Sequence, residues 1–151
     1  MGCQWTETRH NNAVAILRGP LAFSLKIGEH YRQLKAYHPT LPTADWEVSP
    51  TTPWNYGLVL DREAPGKSIR VTTKKPGRLP FAQASAPVVL KVKGRVLPAW
   101  GLVNNSAGPT PVSPVASAEP DAKLELIPYG CTRLRITEFP VLATAALEAA
   151  R

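Results

Sequence analysis

Sixteen prolines are spread along almost the whole length of this chain. A proline inside a helix removes a backbone hydrogen bond and costs about 3 kcal/mol, so a long-helix bundle is excluded. Hydrophobic residues make up 44% and charged residues 19% of the sequence, a composition typical of a folded chain. Its 151 residues suffice for one domain with an ordinary core. Short strands joined by proline-rich connections are therefore expected.

Several short runs alternate apolar and polar residues, which is the pattern of half-buried β-strands. The clearest runs are 21–27, 68–73 and 87–97, and shorter ones occur at 13–17, 57–60, 123–127 and 132–137. Gly19-Pro20 is interpreted as a kink or bulge between the first two strands, and residues 64–67 as the turn of a hairpin. We predict an all-β fold: an antiparallel, jelly-roll-like β-sandwich of seven or eight strands with little helix.

Two segments lack this alternation. Residues 29–36 are predicted to form a short helix, followed by an irregular extended path through several prolines to residue 53. Residues 98–120 contain five prolines and are predicted to form a long loop.

The basic residues outnumber the acidic ones and give a net charge of +7, but they are dispersed. Lys91 and Lys93 alternate with apolar residues, so they are placed on the outer face of a strand. We interpret the charges as a solvated β surface and expect no nucleic-acid partner. The chain as it stands has no signal peptide and no apolar stretch long enough to span a membrane, which predicts no membrane partner and a cytoplasmic location as expressed.

No motif for catalysis, nucleotide binding or zinc binding is found. The three histidines lie in the first quarter of the chain, and Cys3 and Cys131 are isolated. The acidic pairs Asp45/Glu47 and Asp61/Glu63 carry no sign of burial. We therefore predict no catalytic residue, no metal site and no cofactor.

Four aromatic residues form the most suggestive group of candidate ligand-binding residues. They are Trp46, Trp54, Tyr56 and Trp100, all placed in or beside the predicted loops. An exposed aromatic ring can stack against the apolar face of a sugar, which makes carbohydrate a candidate ligand. The alternative is that the rings fold back over the edge of the β-structure and serve packing.

Four stretches of sequence together resemble one known family. They are Leu-Arg-Gly-Pro-Leu-Ala-Phe-Ser-Leu at 17–25, Asp-Trp-Glu-Val at 45–48, Pro-Trp-Asn-Tyr-Gly-Leu at 53–58, and Leu-Ile-Pro-Tyr-Gly-Cys-Thr-Arg-Leu-Arg-Ile at 126–136. In this order they resemble the C-terminal β-sandwich region of the bacterial β-L-arabinofuranosidase-like glycoside hydrolases, family 127 and its relatives. The resemblance covers residues 12–142. Residues 1–11 do not match and are expected to be a foreign or unstructured start, and 143–151 form an alanine-rich tail that is expected to be helical or frayed.

The resemblance implies an accessory role. Family members are several times longer, and their chemistry resides in a preceding (α/α) barrel with a cysteine nucleophile and a zinc ion held by cysteines and a glutamate. Neither cysteine of this chain matches those motifs. The chain is therefore interpreted as a noncatalytic accessory β-sandwich domain or fragment of a glycoside hydrolase. The alternatives are a stand-alone carbohydrate-binding module and a small hydrolase using Cys131 or a histidine.

The resemblance also carries an expectation about assembly. In the family, the strands at 13–27 belong with earlier β-structure, which this chain lacks. An unpaired apolar edge at 13–17 would present free backbone groups to a second chain. A homo-oligomer formed through the N-terminal strands is therefore predicted.

Overall fold

The computed structural model describes residues 6–143. Its strands are β1 (Thr6–Thr8), β2 (Val14–Arg18), β3 (Leu21–Leu25), β4 (Glu29–Ala36), β5 (Ala44–Pro50), β6 (Tyr56–Val59), β7 (Arg70–Thr73), β8 (Val88–Val96), β9 (Leu102–Val103), β10 (Ser106–Ala107), β11 (Ala122–Pro128) and β12 (Glu138–Phe139). One helical turn, α1 (Pro65–Ser68), and short 3-10 turns at His10–Asn12, Gln83–Ser85 and Tyr129–Cys131 complete the described elements.

Eight strands form one curled antiparallel sheet, in which β1, β2, β3, β11, β8 and β6 follow one another, β12 pairs with β2, and β7 pairs with β8. The inner face of the sheet forms the core. Phe23, Leu58, Leu90, Leu126 and Phe139 come from five different strands, and all are 0% exposed. The all-β prediction is confirmed, and the alternation in 87–97 corresponds to β8. The arrangement of the strands as a sandwich stays a prediction.

The connection between β2 and β3 is a tight hairpin turn rather than a kink. Arg18 pairs with Leu21 and Leu17 with Ala22, which leaves only Gly19 and Pro20 in the turn. Gly19 has φ +57°, a backbone conformation that glycine adopts without a steric penalty.

The predicted hairpin between 57–60 and 68–73 is wrong. Both β6 and β7 pair with the same strand, β8: Tyr56–Val59 opposite Val96–Lys93, and Arg70–Thr73 opposite Lys91–Val88. The two segments therefore lie end to end along one edge of β8. The residues between them, including α1, leave the sheet and return to it.

The predicted strand at 132–137 is also wrong, because this segment forms no ladder of its own. The Leu25 amide donates to the Ile136 carbonyl at 2.9 Å, and β12 pairs with Val14 and Ala15 of β2. Residues 136–139 thus lie between β2 and β3 where these two strands diverge.

The N-terminal edge is paired within the chain. Thr6, Glu7 and Thr8 of β1 lie opposite Ile16, Ala15 and Val14, so the expectation of an unstructured start is wrong for residues 6–8. Residues 13–16 are buried. The bare edge on which the oligomer prediction rested is therefore absent from the described structure, and the oligomeric state itself stays a prediction. Residues 1–5, with Cys3, and the tail at 144–151 lie outside the described residues.

Two further segments differ from the expectations. Residues 29–36 form strand β4, not a helix, and pair with β5 in a separate two-stranded hairpin. Inside the long loop, β9 and β10 form a small hairpin whose turn residues Asn104 and Asn105 have φ of 50° and 60°. No helix within residues 6–143 has the length and apolarity needed to cross a membrane.

Candidate functional site

The hairpin of β4 and β5, residues 29–50, is called the arm here. It pairs with no other strand of the described structure, and none of its residues is buried. Because side chains alternate across a strand, the arm has two faces of different chemistry. The cross-strand pairs Tyr31/Val48 and Gln33/Trp46 lie on one face, and Arg32/Glu47 and Lys35/Asp45 lie on the other.

The charged face is held together by local contacts. Arg32 Nε donates to Glu47 Oε2 at 2.8 Å, and this ion pair lowers the pKa of the Glu47 carboxyl. The Tyr37 hydroxyl donates to Asp45 Oδ2, and the Lys35 ammonium lies 5.0 Å from the centre of the Tyr37 ring. Such exposed pairs contribute little each to the stability of the arm.

The opposite face carries the exposed aromatic residues of the arm. Tyr31 and Trp46 are 47% and 50% exposed, and their rings meet edge to face with centroids 6.5 Å apart. Val48 lies across from Tyr31 and is partly exposed. We call Tyr31, Trp46 and Val48 the aromatic face.

Glu29 fixes the base of the arm to the segment between β11 and β12. Its Oε1 accepts hydrogen bonds from the backbone amides of Arg133 at 2.9 Å and Leu134 at 3.1 Å, and its Oε2 accepts one from the Tyr31 hydroxyl at 2.7 Å. Desolvation alone would raise the pKa of Glu29, but these three hydrogen bonds and the positive charge of Arg133 outweigh it and lower the pKa. One ionised carboxylate thus ties the aromatic face to a segment more than 100 residues away.

The other three predicted aromatic residues lie apart from Trp46, beside the core. Trp54 and Trp100 pack edge to face with centroids 5.3 Å apart, and Trp100 is only 4% exposed. Trp100 Nε1 donates to the Gly108 carbonyl at 2.9 Å. Tyr56 packs against the core, and desolvation raises its pKa. The structure therefore favours the packing alternative for Trp100, and Trp46 is the most exposed of the four predicted residues.

Tyr31 was not predicted as a site residue. The sequence predicts a helix at residues 29–36, and such a helix would not pair Tyr31 with the strand that carries Trp46. The alternation of Tyr31 and Gln33 with His30 and Arg32 was the available signal for a strand, and it is short.

The residues considered for catalysis have structural contacts instead. Cys131 is buried, its thiol donates to the Pro80 carbonyl at 3.5 Å, and burial raises its pKa, which disfavours the reactive thiolate. Asp61 Oδ1 accepts hydrogen bonds from the amides of Glu63 and Ala64 at 3.0 Å each. Within residues 6–143, no three His, Cys, Asp or Glu side chains converge as metal ligands.

Comparisons of the chain with protein-family models, with curated proteins and with solved structures found no match.

Proposed function

We propose that this chain is a noncatalytic accessory β-domain of a glycoside hydrolase, and that it packs against a catalytic domain through the aromatic face of the arm. The observation that carries the proposal is the exposed pair of Tyr31 and Trp46 on a hairpin that projects from the sheet. Aromatic residues are enriched at the energetically important centres of protein interfaces, where the loss of exposed ring area drives association.

The arm is suited to docking because its base is already ordered. The hydrogen bonds that Glu29 accepts from Arg133 and Leu134 hold the start of β4 against the segment between β11 and β12 before any partner binds. A preordered surface loses less conformational freedom on association, so more of the interaction free energy appears as affinity. The sequence resemblance supports the same surface, since the matching stretch Asp-Trp-Glu-Val at 45–48 lies on β5.

The test is binding of the chain to a family 127 catalytic barrel expressed without its own β region, measured by calorimetry. We expect binding that weakens at least tenfold in Tyr31→Ser and in Trp46→Ser. Leu102→Ser is the matched control, because Leu102 is also exposed on a small hairpin but lies outside the arm. No binding of the wild-type chain, or equal losses in the control, would reject docking through the arm.

The exposed ring of Trp46 also suits a second candidate function, a stand-alone carbohydrate-binding module. The two functions differ in the ligand that Trp46 would contact, and therefore in the binding that Trp46→Ser would abolish. A module would bind neutral arabinan or xylan oligosaccharides in the absence of any barrel, with protection of Trp46 fluorescence from quenching. An accessory domain would show no such binding, and neither function predicts turnover of an aryl β-L-arabinofuranoside by the chain alone.

A further inference from the structure

A second surface, lined mainly by basic side chains, lies on the outer face of the curled sheet. Five basic side chains line one shallow depression of about 710 Å³: Lys67, Arg70, Lys91, Lys93 and Lys123. They come from α1, β7, β8 and β11. We call this surface the basic face.

The strand register places like charges directly opposite one another on this face. Arg70 of β7 lies opposite Lys91 of β8, and Lys93 of β8 lies opposite Lys123 of β11. Directly opposed side chains in an antiparallel pair have Cβ atoms about 4.5–5.5 Å apart, and like charges in this position destabilise the sheet. The two pairs therefore oppose folding rather than support it.

Two nearby carboxylates neutralise these charges only in part. Asp121 accepts from Arg95 Nε at 2.7 Å and lies 3.9 Å from Lys93 Nζ, while Glu125 accepts from Lys26 Nζ at 2.8 Å. Hydrogen bonds from Arg95 and from Lys26 lower the pKa of Asp121 and of Glu125 respectively, so each acid makes its strongest contact with a cation outside the depression. The weaker attractions of Asp121 to Lys93 and of Glu125 to Lys91 remain.

Lys93 and Lys91 are partly compensated, by Asp121 and by the Glu125 that lies opposite Lys91 in the strand register, but the other three lining cations have no such acidic neighbour among the described residues. Among residues 6–143, no carboxylate lies within ion-pair distance of Lys67, Arg70, Lys91 or Lys123. A cluster of exposed, incompletely compensated cations concentrates positive potential and attracts anions.

We propose that the basic face binds a polyanionic polysaccharide, a sugar chain that bears carboxylate or sulfate groups at regular intervals. Lys91 and Lys93 are two residues apart on one strand, which separates them by about 6.7 Å, and the neighbouring strands add charges about 4.8 Å away. These spacings are comparable to the length of a sugar residue. Binding would release the counterions held by the polymer and would relieve the repulsion within the two opposed pairs.

The chemistry of the face favours a charged sugar chain over the other polyanions. Single-stranded nucleic acid is bound by aromatic rings that stack on the bases, and the described residues that line the depression include no aromatic side chain. The centre of a protein interface is depleted in lysine, whereas four of the five cations here are lysines. Lysine ammonium groups act as hydrated point charges, which suits singly charged groups spaced along a hydrated polymer.

The first experiment compares the binding of several polymers by calorimetry or affinity electrophoresis. Binding is measured at about 50 mM and about 200 mM salt, a range over which affinity that depends on counterion release falls steeply. Polygalacturonate supplies carboxylates alone, dextran sulfate supplies sulfates alone, and neutral arabinan supplies neither. We expect binding to at least one charged polymer, with a steep loss at the higher salt, and none to arabinan; the stronger of the two charged polymers identifies the anionic group. Equal binding to arabinan, or tighter binding to an oligonucleotide than to both charged polymers, would overturn the proposal.

The second experiment assigns the binding to this face. Lys123→Glu should weaken binding of the charged polymer at least tenfold, and Arg70→Glu together with Lys123→Glu should abolish it. Arg18→Glu is the control, because it changes the net charge by the same amount as Lys123→Glu but lies at the end of β2, outside the basic face. A loss in Arg18→Glu equal to that in Lys123→Glu would show attraction to net charge alone and would reject the site. Trp46→Ser should leave this binding unchanged, so the failure of arm docking and the failure of this proposal can be told apart.

Discussion

The curled sheet and the arm contain strands of similar length, yet they are stabilised in opposite ways. β8 has nine residues and buries Leu90 and Val92 in the core, whereas β4 has eight residues and buries none of them. The sheet gains stability from removing apolar area from water. A two-stranded hairpin without such burial is at best marginally stable by itself, so the arm depends on its own ladder and on the Glu29 contact at its base. Substitutions in these two regions should therefore have very different effects on stability.

The largest expected difference in the free energy of unfolding is between a substitution in the core and one on the aromatic face. Phe23→Ala should reduce the free energy of unfolding by about 3–5 kcal/mol, because Phe23 is completely buried and its removal leaves a cavity. Trp46→Ala should change it by about 0.5 kcal/mol or less, because the ring is half exposed. Urea denaturation followed by circular dichroism measures both free energies of unfolding. Similar losses of stability in the two variants would contradict the difference between the buried core and the exposed arm.

A smaller effect is expected from a glycine inside the sheet. A Cβ at Gly94 would lie 2.5 Å from Leu124 Cδ1 and 2.8 Å from the Gly57 carbonyl oxygen, so Gly94→Ala should cost about 1–3 kcal/mol through overpacking. Gly101→Ala is the control, because nothing lies within 4 Å of its added Cβ. The melting temperature of the control should stay close to that of the wild type.

The anchor of the arm should show a dependence on pH. Since folding lowers the pKa of Glu29, its contribution is complete above the ordinary carboxyl pKa of about 4.3 and is lost as the pH falls through the lower folded value. At neutral pH, Glu29→Gln should weaken the anchor by about 1–2 kcal/mol, because the amide cannot accept all three hydrogen bonds. Hydrogen exchange in the arm should therefore be faster in the variant at pH 7. The difference in thermal stability between the two proteins should vanish in acid; a constant difference from pH 7 to pH 2 would contradict the assigned role.

The smallest expected effect has the opposite sign. Lys123→Glu places a carboxylate opposite Lys93 and should raise the free energy of unfolding by about 0.2–1 kcal/mol at low salt. The same variant should bind charged polysaccharide more weakly, because Lys123 is one of the cations of the basic face. Stability that falls in Lys123→Glu would show that the opposed lysines are not a cost to the sheet.

Short-range patterns were sufficient to predict strands whose side chains alternate between core and solvent. In β8, Leu90 and Val92 are buried and Lys91 and Lys93 are exposed, as their sequence predicts. Such patterns do not predict which strands pair with each other. β6 and β7 were assigned to each other because they are neighbours in sequence, whereas both pair with β8.

The candidate site was only partly predictable for the same reason. Trp46 was predicted as a ligand-binding residue from its position in the sequence, and Tyr31 was missed because residues 29–36 contain good helix formers. β4 is a strand because β5 completes its hydrogen bonds and because Glu29 reaches the amides of Arg133 and Leu134. These tertiary contacts override a weak local preference.

The all-β class and the short strands follow from the sequence alone, because prolines exclude long helices and period-two alternation is a local property of the chain. The sequence also determines the excess of positive charge. The position of that charge follows from strand pairing instead: Arg70, the Lys91/Lys93 pair and Lys123 are far apart in sequence, and antiparallel pairing of β7 and β11 with β8 brings them onto one face. The physical reason is that register depends on which strands share a buried face, and this is settled by packing between distant segments rather than by the residues next to each charge.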